Sequence, residues 1–155
     1  MAFSNQSPFS DIVVTTDGSC SPNNGNGSGG WAYVVRENGQ VIGQESGREN
    51  KTTNNRMEFM AILQALRSFV EPTHITVRTD SQYAMKSVTV WAHGWKRRGW
   101  RTSEGESVKN RDLIEEILAE MDRHSVKMEW VRGHNGDRDN EKCDGLAAKA
   151  RKRRK

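Results

Sequence analysis

The sequence predicts an α/β domain in which a mixed, five-stranded sheet is flanked by helices. Three observations predict it. Three short β-rich runs open the chain before any helical pattern; a 3.6-period segment then separates them from a fourth run; a fifth, alternating run follows a second amphipathic segment. A strand–helix–strand crossover within one sheet makes its strands parallel, whereas tight hairpins make theirs antiparallel, so the sheet must hold both pairings.

Taken in order, residues 1–10 carry neither the basic nor the apolar region of a signal peptide and are expected to form a mobile leader. Residues 12–16 (Ile-Val-Val-Thr-Thr) suit a strand buried on both faces, ending at Asp17. Residues 21–30 are mostly Gly, Asn and Ser and read as a loop, though not a phosphate-cradling one, since no Gly-Lys-Ser/Thr closes it. Residues 31–36 and 41–44 read as strands around Asn38-Gly39, a strong hairpin signal, which completes an antiparallel meander. The helix that follows starts at about Thr53 among capping-type residues. Phe59, Ile62, Leu63, Leu66 and Val70 give it one buried face. Residues 75–79 form the fourth strand, parallel to the first, and end at Asp80. Residues 111–124 are amphipathic on Leu113, Ile114, Ile117, Leu118 and Met121. The fifth strand spans 126–130, and a loop at 132–137 carries His134 between glycines. The last helix runs from about Asn140 on Cys143, Leu146, Ala147 and Ala150. The single domain therefore covers residues 11–150, with residues 151–155 as a basic, solvated tail.

With 155 residues the chain is long enough to bury a core without staples. Its mean hydropathy of -0.86 is low, but the periodic segments argue against disorder. The 24 Lys+Arg against 20 Asp+Glu give a net charge of +4, a weak pointer to a polyanionic partner. Cys20 and Cys143 follow no disulfide or metal-ligand spacing, which suits a reducing cytoplasm. No apolar run approaches membrane-spanning length, and a soluble protein without a membrane partner is expected. Nothing in the sequence requires more than a monomer.

The chemistry begins with an echo: Thr16-Asp17-Gly18-Ser19 ends one strand and Thr79-Asp80-Ser81 ends another. If those strands are parallel neighbours, both acids lie at the carboxyl edge where open α/β sheets place ligands. Two carboxylates there repel each other, and a divalent cation between them relieves the repulsion. Glu58 falls in the first turns of its helix, where the dipole favours an anion, and Asp144 is similarly placed in the last helix. All-oxygen ligands without a Cys/His set call for Mg²⁺ or Mn²⁺. Two such ions about 4 Å apart serve the attacking and leaving sides of a phosphodiester. In residues 91–101, Trp91, Trp95 and Trp100 interleave with Lys96, Arg97, Arg98 and Arg101. That pattern suits phosphates meeting cations and rings packing on sugars or bases, although Trp91 is expected partly to pack on the domain.

TDGSC at 16–20, TTNNRME at 52–58, TDSQY at 79–83, the 91–101 stretch, VKN at 108–110, EWVRGH at 129–134 and NEKCD at 140–144 together resemble bacterial type I ribonuclease H, in order and over nearly the whole chain. The resemblance implies a ribonuclease H-like fold and hydrolysis of the RNA strand of an RNA/DNA hybrid by two metal ions. The products would be a 5′-phosphate and a 3′-hydroxyl, without sequence specificity. It makes Asp17, Glu58, Asp80 and Asp144 the metal-binding carboxylates and His134 a mobile loop histidine that helps protons or product leave. Thr53, Asn55 and Gln82 become contacts to the hybrid, and the basic segment a grip on the DNA strand. Two departures stand out: the Gly-rich loop, where Asn23 or Asn24 would contact the backbone, is longer than in familiar members, and Lys51 replaces a frequent arginine. The competing readings are a hybrid- or double-stranded-RNA-binding module, which gains nothing from four acids that repel phosphate, and another two-metal nuclease such as a junction resolvase. A zinc role for His74, His93, His124 and His134 has no motif behind it.

Overall fold

The computed structural model describes residues 11–133 and 136–153. The chain forms β1 (Ile12–Ser21), β2 (Gly27–Glu37), β3 (Gln40–Thr52), α1 (Asn54–Arg67), β4 (His74–Thr79) and α2 (Gln82–Lys86). A π-helical turn over Ser87–Trp91 leads into α3 (Ala92–Arg97), followed by α4 (Arg111–Arg123), β5 (Ser125–Trp130) and α5 (Arg138–Arg151). The sheet order is β3-β2-β1-β4-β5. The first three strands pair antiparallel, and β1 with β4 and β4 with β5 pair parallel, so the sheet is mixed and five-stranded.

Helices cover both faces. On one, Phe59, Ile62, Leu63 and Leu66 of α1 and Leu113, Ile114 and Ile117 of α4 pack against Ile12, Val14, Tyr33, Val35, Ile75 and Val77. Each such side chain contributes about 1.5–3 kcal/mol of burial free energy. On the other, Cys143 and Ala147 of α5 seat on Ala32 and Val34. Arg56 ties the first layer together through Glu49 of β3 and Asp112 of α4, both at 2.9 Å. Two arginines clamp the start of α5 to the sheet. Arg36 holds the buried Asp139 with two bonds, of 2.6 and 3.0 Å, and Arg78 holds Asp137 at 2.8 Å.

Three sequence expectations change. Residues 27–30, read as loop, are the start of β2, and β1 and β3 run correspondingly longer, to Ser21 and Thr52. The glycines serve close packing: a Cβ on Gly30 would stand 2.0 Å from the Ala147 carbonyl oxygen of α5. Val70 is 60% exposed, because α1 closes at Ser68, whose hydroxyl donates to the Ala65 carbonyl at 2.6 Å. The chain then turns and Phe69 takes the core place instead. Lastly, α5 starts two residues before Asn140, since Asp137 accepts from the Asn140 N–H at 3.0 Å as its N-cap. Asn38-Gly39 turns as expected, both residues having positive φ.

Candidate active site

The parallel ladder between β1 and β4 ends at the pair Thr16–Thr79, so the next residue on each strand, Asp17 and Asp80, stands at one edge. Although β1 continues past that point, it does so paired only with β2. Thr53 caps α1 by accepting from the Arg56 N–H at 3.2 Å, which fixes the first turns and aims Glu58 at the same edge. Carboxylate oxygens of Asp17, Glu58 and Asp80 lie within 4.8 Å of one another, the only such group of potential ligands among the described residues. Glu58 is 7% exposed and Asp17 5%, so neither is a surface acid.

Backbone donors hold the arrangement. The Gly18 N–H donates to Asp17 Oδ1 at 2.9 Å and to Glu58 Oε1 at 2.7 Å. Only glycine fits there, because a Cβ would stand 2.4 Å from the Glu58 nitrogen. The Trp130 indole N–H donates to the Asp80 carbonyl at 3.1 Å. Asp144 follows Cys143, whose thiol donates to the Thr15 carbonyl at 3.2 Å and pins that turn of α5 beneath β1. It is half-buried and outside the close group of three, yet near enough that its charge acts on Asp17.

Burial pushes the Asp17 carboxyl from 3.8 up to about 7; a hydrogen bond with Glu58 opposes the rise, and the charges of Asp80 and Asp144 add to it. Burial also pushes Glu58 well up, reinforced by the charge of Asp17 beside it. Without a cation the pair therefore retains a proton near neutrality. No described Lys or Arg forms an ion pair with Asp17 or Glu58. An all-oxygen, buried, anionic donor set of this kind fits a hard divalent cation.

The sequence model of the RNase H family matches residues 10–152. A Ribonuclease H from Xanthomonas campestris is 52% identical over 88% of this chain and 89% of its own length. Another, from Cereibacter sphaeroides, is 46% identical over 90% and 93%. The chain belongs to the ribonuclease H family. Among solved structures, LC9-RNase H1, a type 1 RNase H with the type 2 active-site motif, superposes with a TM-score of 0.81 at 30% identity, over 94% of this chain and 74% of that one.

Ribonucleases H are metal-dependent enzymes, and the cluster here is one that could bind a metal. The other candidate residues are dispersed around it. Thr53 and the exposed Asn55 sit at the start of α1, and the exposed Gln82 opens α2 just past Asp80. Lys51, exposed, has a φ of 51°. Asn23 accepts from the Asn54 N–H at 2.9 Å, and Asn24 from the Asn26 N–H at 2.9 Å, so both carbonyls are engaged within the protein. Lys96, Arg97, Arg98 and Arg101 are exposed on and after α3. The tryptophans divide differently from expectation: Trp95 is 8% exposed and belongs to the core, while Trp91 is 38% exposed, its ring against Tyr83 and Trp95. Trp100 is half-buried beneath the Arg111 guanidinium, 5.2 Å from its ring centroid.

His134 lies outside the described residues. Its neighbour Gly133 does not: a Cβ there would stand 2.8 Å from Asp80 Oδ2, so Gly133 itself lies against the Asp80 carboxylate. His124 is structural. It accepts from the Thr73 N–H at 3.0 Å and faces the Leu66 carbonyl at 3.1 Å through Nε2, while His74 and His93 are exposed elsewhere. The sequence marks Asn54 only as one of the capping-type residues at the helix start; its side chain in fact accepts from the Cys20 N–H at 2.6 Å and joins α1 to β1. Its place inside Thr-Thr-Asn-Asn was the available signal. Trp130 was read only as a strand residue, and nothing local in the sequence marks its bond to Asp80.

Proposed function

We propose that the protein is an endonuclease that hydrolyses the RNA strand of RNA/DNA hybrids, leaving a 5′-phosphate and a 3′-hydroxyl without sequence preference. One observation carries the reading: in a chain of this family, acids from β1, α1 and the end of β4 converge within 4.8 Å at the sheet edge. Asp17, Glu58, Asp80 and Asp144 are the residues that would hold two Mg²⁺ ions, or Mn²⁺ in their place. When bound, the ions supply Lewis acidity to the attacking water and to the leaving oxygen.

The chain's own groups do the rest. Gly18 keeps two carboxylates aimed at one point, and Trp130 holds the backbone of a third. Thr53 uses its oxygen as a helix cap, which leaves its hydroxyl proton for a phosphate oxygen. Lys51 and Asn55 extend that contact along the DNA strand. Asn23, its carbonyl engaged, presents its amide N–H groups there, and Asn24 does the same. Gln82 reaches from the active-site edge. Lys96, Arg97, Arg98 and Arg101 grip the DNA strand, with Trp91 and the edge of Trp100 as packing surfaces and Trp95 beneath as support. His134 moves protons at the leaving group or eases product out. Backbone contacts carry no base information, hence the lack of sequence preference. Two buried free thiols, Cys20 and Cys143, accord with a cytoplasmic protein acting as a monomer.

The basic segment would serve a module that only binds hybrids equally well, but such a module gains nothing from a cluster of carboxylates that repels phosphate. The test is cleavage of end-labelled RNA/DNA hybrid beside RNA/RNA, DNA/DNA and single-stranded RNA, each with Mg²⁺ or with chelator. Cutting of the hybrid's RNA alone, and only with the metal, supports the reading. Hybrid that is bound but intact in Mg²⁺ overturns it.

A further inference from the structure

The basic residues after α5, expected from composition to be a solvated tail, are held against the sheet as far as Arg153. The helix runs through Arg151, the Lys152 and Arg153 N–H groups donate to the Lys149 and Ala150 carbonyls at 3.2 Å, and Arg153 Nη2 reaches Ser46 Oγ at 3.4 Å. Arg48 of β3 arrives at the same place. It donates to Ser28 Oγ at 2.8 Å, to the Arg151 carbonyl at 3.4 Å and to Asn50 Oδ1. Arg151 Nε is buried there without a hydrogen-bond partner.

Six arginines elsewhere in the fold, Arg36, Arg56, Arg67, Arg78, Arg111 and Arg123, each pair with a carboxylate, whereas Arg97, Arg98 and Arg101 of the basic segment pair with none among the described residues. Arg48, Arg151, Lys152 and Arg153 pair with none among the described residues. Their fixed partners are hydroxyls, an amide and carbonyls, which orient a guanidinium but leave its charge uncompensated. The one acid beside them in sequence, Glu49, is taken by Arg56. Closing the end of α5 would need Arg48 alone, not four cations.

The position of the patch suggests its ligand. Arg151 is two helical turns beyond Asp144, on the same side of α5 and about 10 Å further along it. For a duplex that runs alongside α5, in which one strand advances about 3.4 Å of axis per phosphate, the patch lies about three phosphates from the carboxylates. It also lies on the α5 face of the sheet, whereas residues 96–101 follow α3, whose Ala92 and Trp95 pack into the α1 and α4 layer. A duplex laid across the sheet edge meets cations on both sides.

We infer that Arg48, Arg151, Lys152 and Arg153 form a second phosphate-contacting surface for the bound hybrid, about three nucleotides from the scissile phosphate and across the sheet from the basic segment. The inference rests on the hybrid-cleaving reading, which supplies the polyanion. Guanidinium groups already held by hydrogen bonds lose less freedom on meeting a phosphate, which favours this use.

The test is binding of an RNA/DNA hybrid of about 20 base pairs by fluorescence anisotropy in chelator, followed between about 50 and 300 mM salt. Lys152→Gln/Arg153→Gln should weaken binding and flatten the log–log salt slope by roughly 0.9 per lost contact, and Arg48→Gln should do so by one contact. Lys127→Gln, a charge removed from the exposed face of β5, should leave the slope alone. Arg153→Lys keeps the charge while changing the bond to Ser46, so it should keep the slope. The double substitution lies at an exposed helix end, and thermal melts of every variant monitor the fold. A double variant with the slope of wild type, or an Arg153→Lys slope as low as that of Arg153→Gln, overturns the inference. Because binding is read without metal, this result is independent of cleavage: wild type that binds with the full slope yet never cuts hybrid in Mg²⁺ would sink the proposed function and leave the surface standing.

Discussion

Replacing Asp17 by Asn keeps the shape of the side chain and removes its charge, and it should move stability and activity in opposite directions. In the metal-free protein Asp17 is 5% exposed and burial lifts its carboxyl from 3.8 to about 7. A rise of that size corresponds to at most about 4 kcal/mol of strain when the group is ionised. The sign follows directly: a raised carboxyl binds its proton more tightly when folded, so stability is higher below the window and falls as pH climbs from about 4 through about 7. For a chain of this length each kcal/mol is worth about 2–4 °C, and sharing of the proton with Glu58 reduces the total. Asp17→Asn should therefore melt several degrees above wild type at pH 8 in chelator, with little difference at pH 4. Mg²⁺ should stabilise wild type more than the variant, because wild type has the full ligand set. Cleavage should fall by about 10³-fold or more, a loss of roughly 4 kcal/mol of transition-state stabilisation, while hybrid binding stays largely intact. An Asn variant no more stable than wild type at pH 8 without metal, or one with near-normal turnover at saturating Mg²⁺, would refute the reasoning.

Three further outcomes are expected. His134→Ala should lower kcat by roughly ten- to a thousand-fold with little change in KM, and an unchanged kcat across pH would make it a plain loop residue. Neutralising Lys96, Arg97 and Arg98 together should raise KM, leave kcat nearly alone and flatten the salt dependence of binding; wild-type affinity and slope would remove the grip from this segment. Burial holds the His124 imidazole below its ordinary range, so the stability it contributes is present above about pH 6.5 and is lost as pH falls below that value. His124→Asn should cost about 1–3 kcal/mol at pH 8 and less at pH 5, read by denaturant unfolding, and an equal cost at both would count against that account.

Much of this was legible because periodicity and capping report what a segment buries. The α1 face from Phe59 to Leu66, the Asn38-Gly39 turn and the parallel placement of Asp17 beside Asp80 all followed from local pattern plus one crossover rule. What was not legible depends on contacts between distant segments. Gly30 reads as loop in isolation and becomes strand only because α5 needs its bare backbone. Val70 continues the helical period on paper, but Ser68 has already ended the helix. Alternation of Trp and Arg over 91–101 says that some rings face outward, not which; the burial of Trp95 and exposure of Trp91 are decided by packing against Tyr83 and the core. The carboxylates were named individually from motif and edge position, yet the closeness of Glu58 to Asp17 depends on Gly18, whose missing Cβ admits the start of α1. Arg153 looked like tail because a basic run carries no periodicity, and only Ser46, 107 residues away in sequence, shows where it docks.

The most direct test of the central claim is the chemistry of the cut ends. Purified protein is given an RNA/DNA hybrid in Mg²⁺, and the termini of the RNA fragments are identified by mass spectrometry. Hydrolysis at a carboxylate-held metal site predicts 5′-phosphate and 3′-hydroxyl ends on the RNA alone, with an intact DNA strand and no products in chelator. A 2′,3′-cyclic phosphate at the cut would mean that the RNA's own 2′-hydroxyl is the nucleophile, and equal cleavage in chelator that no metal is needed; either would mean that Asp17, Glu58 and Asp80 do not act as a metal-holding reaction centre.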